Sequence, residues 1–256
     1  MILAIDVGNS NIVLGGIDKN KIHFLSRIST DKQKTENEYA VIMRSIFQMH
    51  GVEANDFEGA IIALVVPPLI TTLQNAVKSV IGKTPLIIGP GLKTGLNILI
   101  DNPAQLGADL VASAVAAINK YPKPLVIIDM GTATTFSVID KNSSMLGGFI
   151  FPGVRVSHDA LISRTSQLPH ILLEAPSKVI CTNTIDCMQS GLVFGNAAMI
   201  DGMLDRIEDE LGHKTTVIAT GGLSRIVVPH CRREIICDDN LLLEGLRIIY
   251  EKNIKR

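Results

Sequence analysis

Residues 3–11 read LAIDVGNSN, and residues 127–135 read IIDMGTATT. Each stretch is an apolar run that ends in an aspartate, Asp6 or Asp129. One apolar residue, a glycine and small polar residues follow. The two aspartates lie about half of the 256-residue chain apart. A strand-like run ending this way predicts a hairpin turn. Glycine in such a turn lets backbone come close to a ligand. Turn amides can line an anion-binding concavity, and Asn9, Ser10, Thr132 and Thr134 add side-chain donors. A carboxylate beside a phosphate cradle needs a cation between them, either Mg2+, held directly or through water, or a monovalent ion. Asp and Gly also end strands for purely structural reasons. Two copies at half-chain spacing favour a pair of hairpins that clamp a nucleotide's phosphates.

Outward from these stretches, both halves alternate strands and helices. In the first half, ILAID, NIVLGGI, KIHFLSRIS, GAIIALVV and TPLIIG predict strands; TENEYAVIMRSIFQMHG, PPLITTLQNAVKSVIG and AQLGADLVASAVAAINKY predict helices. The second half restarts at KPLVIID with strand, turn and strand. It closes on the helical stretch DDNLLLEGLRIIYEKN. The break falls near NKYPKP at 119–124, where two prolines interrupt a helix. The expected organisation is α/β with two duplicated domains, 1–118 and 119–256, around a central cleft. Neither a GxxxxGK[ST] loop nor GxGxxG occurs.

Apolar residues make up 46% and charged residues 19%, enough for packed cores. Net charge is −1 and Trp is absent, so no basic or base-stacking surface points to nucleic acid. The longest apolar run, GAIIALVVPPLI at 59–70, is broken by prolines and short of the roughly 20 residues of a membrane span. The start resembles no signal peptide. The four cysteines form no CxxC pair and read as reduced thiols, so the expected location is cytoplasmic.

Three further places carry candidate chemistry. Asp109, in Gly107-Ala108-Asp109, opens an apolar helix and is either an N-cap or a general base. Gly221 and Gly222 follow a strand and form a turn that can pass a base or ribose. Thr184 and Gln189 sit near a helix start, where such residues usually cap. His158 and His170 read as structural or exposed.

The chain resembles the type III pantothenate kinases, also called Bvg accessory factors. These belong to the acetate and sugar kinase, Hsp70 and actin superfamily. The resemblance rests on IDVGNSNIVLGG, DNPAQLGAD, IIDMGTATTFSVID, GGFIFPG, NTIDCMQSGLVFG and ATGGL, and runs nearly end to end. It implies two ribonuclease-H-like (actin-like ATPase) domains, a homodimer with a shared active-site pocket, and ATP-dependent phosphorylation of the small molecule pantothenate. By motif position it gives ATP binding to Asp6, Val7, Gly8, Asn9, Ser10, Asn11, Ile12, Val13 and Thr132, with Gly221 and Gly222 beside them. Asp6 would meet Mg2+ through water, and Asp129 would hold a monovalent cation, K+ or NH4+. Asp109 would be the general base. Ile100, Gly107, Ala108, Asp109, Leu110 and Thr184 would line the acceptor site, Thr184 from the partner chain. Two positions depart from the family pattern. Leu110 stands where the family motif has arginine and Ile100 where it usually has tyrosine. Loss of that arginine implies a less anionic acceptor or a weakened, regulatory paralog as alternatives to pantothenate.

Overall fold

The computed structural model describes residues 1–254. It divides into two compact units. The first holds Met1–Leu96, Asp101–Asn119 and the chain from Asn240 on; the second holds Asn97–Ile100 and Lys120–Asp239.

The first unit is built on β1 (Ile2–Val7), β2 (Asn11–Ile17), β3 (Ile22–Ser29), β4 (Gly59–Leu64) and β5 (Leu86–Ile87). Their order in the sheet is β3-β2-β1-β4-β5. The first three strands are antiparallel, and β4 and β5 run parallel to β1. α1 (Glu36–Met49) starts at a capping box in which Thr35 and Glu38 satisfy each other's backbone N–H. α2 (Ile70–Ile81) follows a proline-led 3-10 turn and ends at Gly82, whose φ of +70° suits glycine. These helices bury Tyr39, Met43, Leu73 and Val77 against Leu3, Ile5 and Val7. Alternation then puts Ile2, Ala4 and Asp6 on the other face of β1.

The second unit holds β6 (Asn97–Ile98), β7 (Leu125–Met130), β8 (Ala133–Ile139), β9 (Ser144–Pro152), β10 (Thr216–Thr220) and β11 (Ile236–Cys237). Their order is β11-β10-β7-β8-β9-β6. Without β6 this repeats the first sheet, strand for strand and direction for direction. Val126, Ile128 and Met130 face a core shared with Leu192, Ile200 and Leu204. Asp129 therefore lies on the opposite face, as Asp6 does in its sheet. The order 3-2-1-4-5, found twice, is the ribonuclease-H-like arrangement expected.

α3 (Ala108–Lys120) belongs to the first unit; α4 (Val154–Arg164), α5 (Thr184–Leu211) and α6 (Ser224–Val227) belong to the second. The last helix, α7 (Leu241–Ile254), corrects the expected 119–256 domain, because it returns to the first unit. Two glycines make its seat. A Cβ on Gly245 would stand 1.8 Å from the Ala112 carbonyl oxygen of α3, and one on Gly59 of β4 would meet the Tyr250 ring. This close approach buries Leu241, Leu243, Leu246 and Ile249, at about 1.5–3 kcal/mol per large apolar side chain. Residues 97–100, expected in the first domain, join the second unit because β6 pairs with β9. Among the described residues, no helix is long and apolar enough to cross a membrane.

Candidate active site

The first hairpin turns at Gly8, Asn9 and Ser10 between β1 and β2, closed by Gly8 N–H donating to the Asn11 carbonyl at 3.0 Å. Asp6 is half-buried and sits opposite Val13. Val7 and Ile12 are buried, and Asn9, Ser10 and Asn11 are exposed. Thr30, the residue directly after β3, holds the turn from behind. Its N–H donates to the Ser10 carbonyl at 3.1 Å and its hydroxyl to the Gly8 carbonyl at 2.7 Å.

The second hairpin is one residue tighter. Gly131 N–H donates to the Ala133 carbonyl at 3.0 Å. Asp129 is half-buried opposite Thr135, and Thr132 is exposed. The residue after β9, Gly153, presses on this turn as Thr30, the residue after β3, does on the first. A Cβ at Gly153 would stand 2.2 Å from the Thr132 carbonyl oxygen. Gly221 approaches from the other side with φ +90°, and a Cβ there would lie 2.8 Å from Asp129 Oδ1. Gly222 next to it is exposed. The structure thus brings Asp129, Thr132 and Gly221 together in one unit.

Asp109 lies in the first turn of α3. It is not the cap: the helix begins at Ala108, and Gly107 precedes it. The half-buried carboxylate accepts the N–H of Leu110 through Oδ1 at 2.8 Å. Burial pushes its carboxyl above the ordinary carboxylate value, against the pull of the Leu110 amide and its own. Val65 joins this place to the first hairpin. Its N–H donates to the Val7 carbonyl at 3.1 Å, and its Cγ1 would lie 3.7 Å from a Cβ on Gly107. Ala108 is buried and Leu110 half-buried. Ile100 is half-buried in the second unit, just past β6.

Thr184 belongs to the second unit. It is the exposed first residue of α5, capped by the Asn183 side chain, which accepts the Asp186 N–H at 2.9 Å. It lines a groove of about 830 Å³ with Phe151, Leu161, Met188 and Asn196. Phe151 pairs with Thr134 of β8, so the groove reaches the neighbourhood of the second hairpin. Gln189 is buried and donates to the Leu172 carbonyl at 3.0 Å. His158 is also buried, and its Nε2 accepts the Ile171 N–H at 3.3 Å, a structural role. Sequence reasoning missed Thr30, Gly153 and Val65; each acts on a hairpin from a distant stretch, and no local signal marks them.

The sequence profile described as type III pantothenate kinase matches residues 2–206. The chain belongs to the type III pantothenate kinase family. A type III pantothenate kinase of an Exiguobacterium species is 46% identical over 255 residues, covering 100% of both chains. One from Halalkalibacterium halodurans is 44% identical over 99% of this chain and 100% of its own. In structure, a putative 2-dehydro-3-deoxygalactonokinase from Sinorhizobium meliloti superposes with a TM-score of 0.63 over 100% of this chain and 98% of that one, at 12% identity. That likeness speaks for the fold alone, and it agrees with the twice-repeated strand order of this family member.

Proposed function

We propose that the protein phosphorylates the primary hydroxyl of pantothenate with ATP. The observation that carries this reading is Asp109, a half-buried carboxylate with its carboxyl raised by burial, held beside the first hairpin in a member of a kinase family. A base is most useful when its proton affinity approaches the working pH. Asp109 takes the proton of the acceptor hydroxyl as its oxygen attacks the terminal phosphorus; the bond to ADP breaks and ADP leaves. Phosphoryl transfer depends mostly on positioning and charge neutralisation. The segment Asp6–Val13 cradles the phosphates, with Thr132, Gly221 and Gly222 contacting the same ATP. Asp6 would hold Mg2+ through water, and the ion would neutralise charge on the phosphates. The half-buried carboxylate of Asp6, at the end of β1 beside the turn, fits such a contact.

Asp129 would hold the monovalent cation, K+ or NH4+, and that ion would supply positive charge to the phosphates. Neutral oxygens beside the carboxylate suit such an ion: Thr135 and Thr220 flank it in register on the neighbouring strands. Gly107, Ala108, Leu110 and Ile100 face the acceptor. Thr184 reaches the acceptor of a partner chain in a cytoplasmic homodimer. Ile150, Val179, Ile180 and Ile185 of the second unit are large apolar residues left exposed in the single chain, which supports a partner on this unit. An ADP-release assay tests the reading. Turnover with pantothenate, abolished in Asp6→Asn, is the expected result; ADP release only with other hydroxyl compounds, or with none, overturns it.

A further inference from the structure

We propose that the hydroxyl of Thr135 is a ligand of the monovalent cation beside Asp129. The proposal rests on the reading of Asp129 given above and adds a residue to it. It starts from a difference between the two copies of the hairpin. Asp6 is flanked in register by Val13 on β2 and Ala63 on β4. Asp129 is flanked by Thr135 on β8 and Thr220 on β10. Residues directly opposite in an antiparallel pair share a face, with Cβ atoms about 4.5–5.5 Å apart. The same device therefore has apolar neighbours in the first sheet and hydroxyls on both sides in the second.

The Thr135 hydroxyl is buried and has no hydrogen-bond partner within the protein. A buried unsatisfied hydroxyl lowers stability. Valine has the same shape without that cost, and valine is what the first sheet carries at the matching position, Val13. The retained hydroxyl thus has lone pairs to give to something that is not protein. Thr134 Oγ1 is also unpartnered, but it sits opposite Met130 on the core-facing side of β8 and lies outside this row. Space beside the carboxylate is kept by Gly221: a Cβ there would fall 2.7 Å from the Met130 carbonyl oxygen and 2.8 Å from Asp129 Oδ1. One carboxylate with neutral oxygens matches a single positive charge, whereas hard divalent ions held by protein alone gather several carboxylates.

The test reads cation binding without turnover. Thermal unfolding is followed while K+ replaces choline at constant ionic strength, with and without a non-hydrolysable ATP analogue. A ligand that binds only the folded state raises the midpoint in proportion to its occupancy. Wild type is expected to gain stability with K+. Thr135→Val is expected to need at least about tenfold more K+ for the same gain, and Thr135→Ser to follow wild type. In choline alone, Thr135→Val is expected to unfold at a higher temperature than wild type, because the orphaned hydroxyl is gone. A Thr135→Val protein that titrates like wild type, while Asp129→Asn does not respond, overturns the role of Thr135 and leaves the cation with Asp129. No response in wild type under either condition overturns both, and locates the fault in the reading of Asp129.

Discussion

Gly107 and Asp109 are in such close approach that a methyl group on Gly107 would stand 2.3 Å from Asp109 Oδ1. That is shorter than any real contact, so a side chain at 107 must push the carboxylate aside. Gly107→Ala is expected to lower kcat by about 10²-fold, the cost of roughly an ångström of misplacement at a reacting group. The circular dichroism spectrum should stay that of wild type. Unchanged kcat in the folded variant counts against Asp109 as the base.

The proposed role of Asp109 ties activity to stability. Its carboxyl is raised in the folded state, so between the unfolded and folded values the native protein holds more protons than the unfolded chain. Stability from this group therefore falls as pH rises through that window. Asp109→Asn removes the buried charge. It is expected to melt at a higher temperature than wild type at pH 7, with the gain shrinking as pH drops and the wild-type carboxyl protonates. In the same variant kcat should fall by about 10²- to 10⁴-fold. A variant that loses activity and stability together at pH 7 would mean that Asp109 mainly holds the helix start.

Glu208 of α5 contributes stability that is lost in acid. Its side chain is 4% exposed and accepts from Arg233 Nη2 at 2.6 Å, Lys214 Nζ at 2.7 Å and the Thr215 N–H at 3.0 Å. Burial alone would raise this carboxyl, but the Arg233 and Lys214 contacts outweigh it and bring it to about 2. The stability it adds is present above the ordinary carboxylate range and is lost as pH falls toward about 2. Arg233→Met leaves the buried carboxylate short of its main partner. It should cost about 3–5 kcal/mol in urea unfolding at pH 7, less at pH 3. Equal costs at both pH values would rule out this assignment.

The two hairpins could be read from the chain because an aspartate, a glycine and small polar residues act within a few positions of one another. The helices were legible for the same reason: Thr35 with Glu38, and Gly82, are local signals. What lay beyond reach depends on distant approach. The return of α7 to the first unit turns on Gly245 and Gly59, whose missing side chains mean nothing until Ala112 and Tyr250 are beside them. Strands β6 and β11 have two residues each, too short for any alternation to show. Asp109 read as either a cap or a base because caps and first-turn acids use the same residue types; the helix start at Ala108 sets it apart from a cap.

Leu110 concerns the acceptor. It directly follows Asp109, the proposed base, and is half-buried on α3. Arginine there would offer a carboxylate a charge-assisted hydrogen bond, about 1.5–3 kcal/mol, or roughly 10- to 150-fold in affinity. Leu110→Arg is expected to lower the KM for pantothenate by at least about tenfold and to leave the KM for ATP unchanged. No gain in steady-state kinetics would mean that another cation, such as Arg155 or Arg164, already meets that carboxylate.

Thr30 gives the first hairpin its shape from outside the repeat. The side chain crosses to the Gly8 carbonyl at 2.7 Å while the backbone holds Ser10. Both bonds engage carbonyls of the turn that is proposed to cradle phosphates, so they fix the loop without using the amides an anion needs. Thr30→Val keeps the shape of the side chain and the backbone bond, and removes only the hydroxyl donor. A neutral hydrogen bond contributes about 1 kcal/mol, so the KM for ATP should rise roughly fivefold if that energy is spent on loop order. The KM for pantothenate should not move, and Thr30→Ser should restore the wild-type value. A Thr30→Val enzyme with wild-type KM for ATP but a lower melting temperature would make the bond structural only; unchanged values of both would mean that water replaces the hydroxyl at no cost.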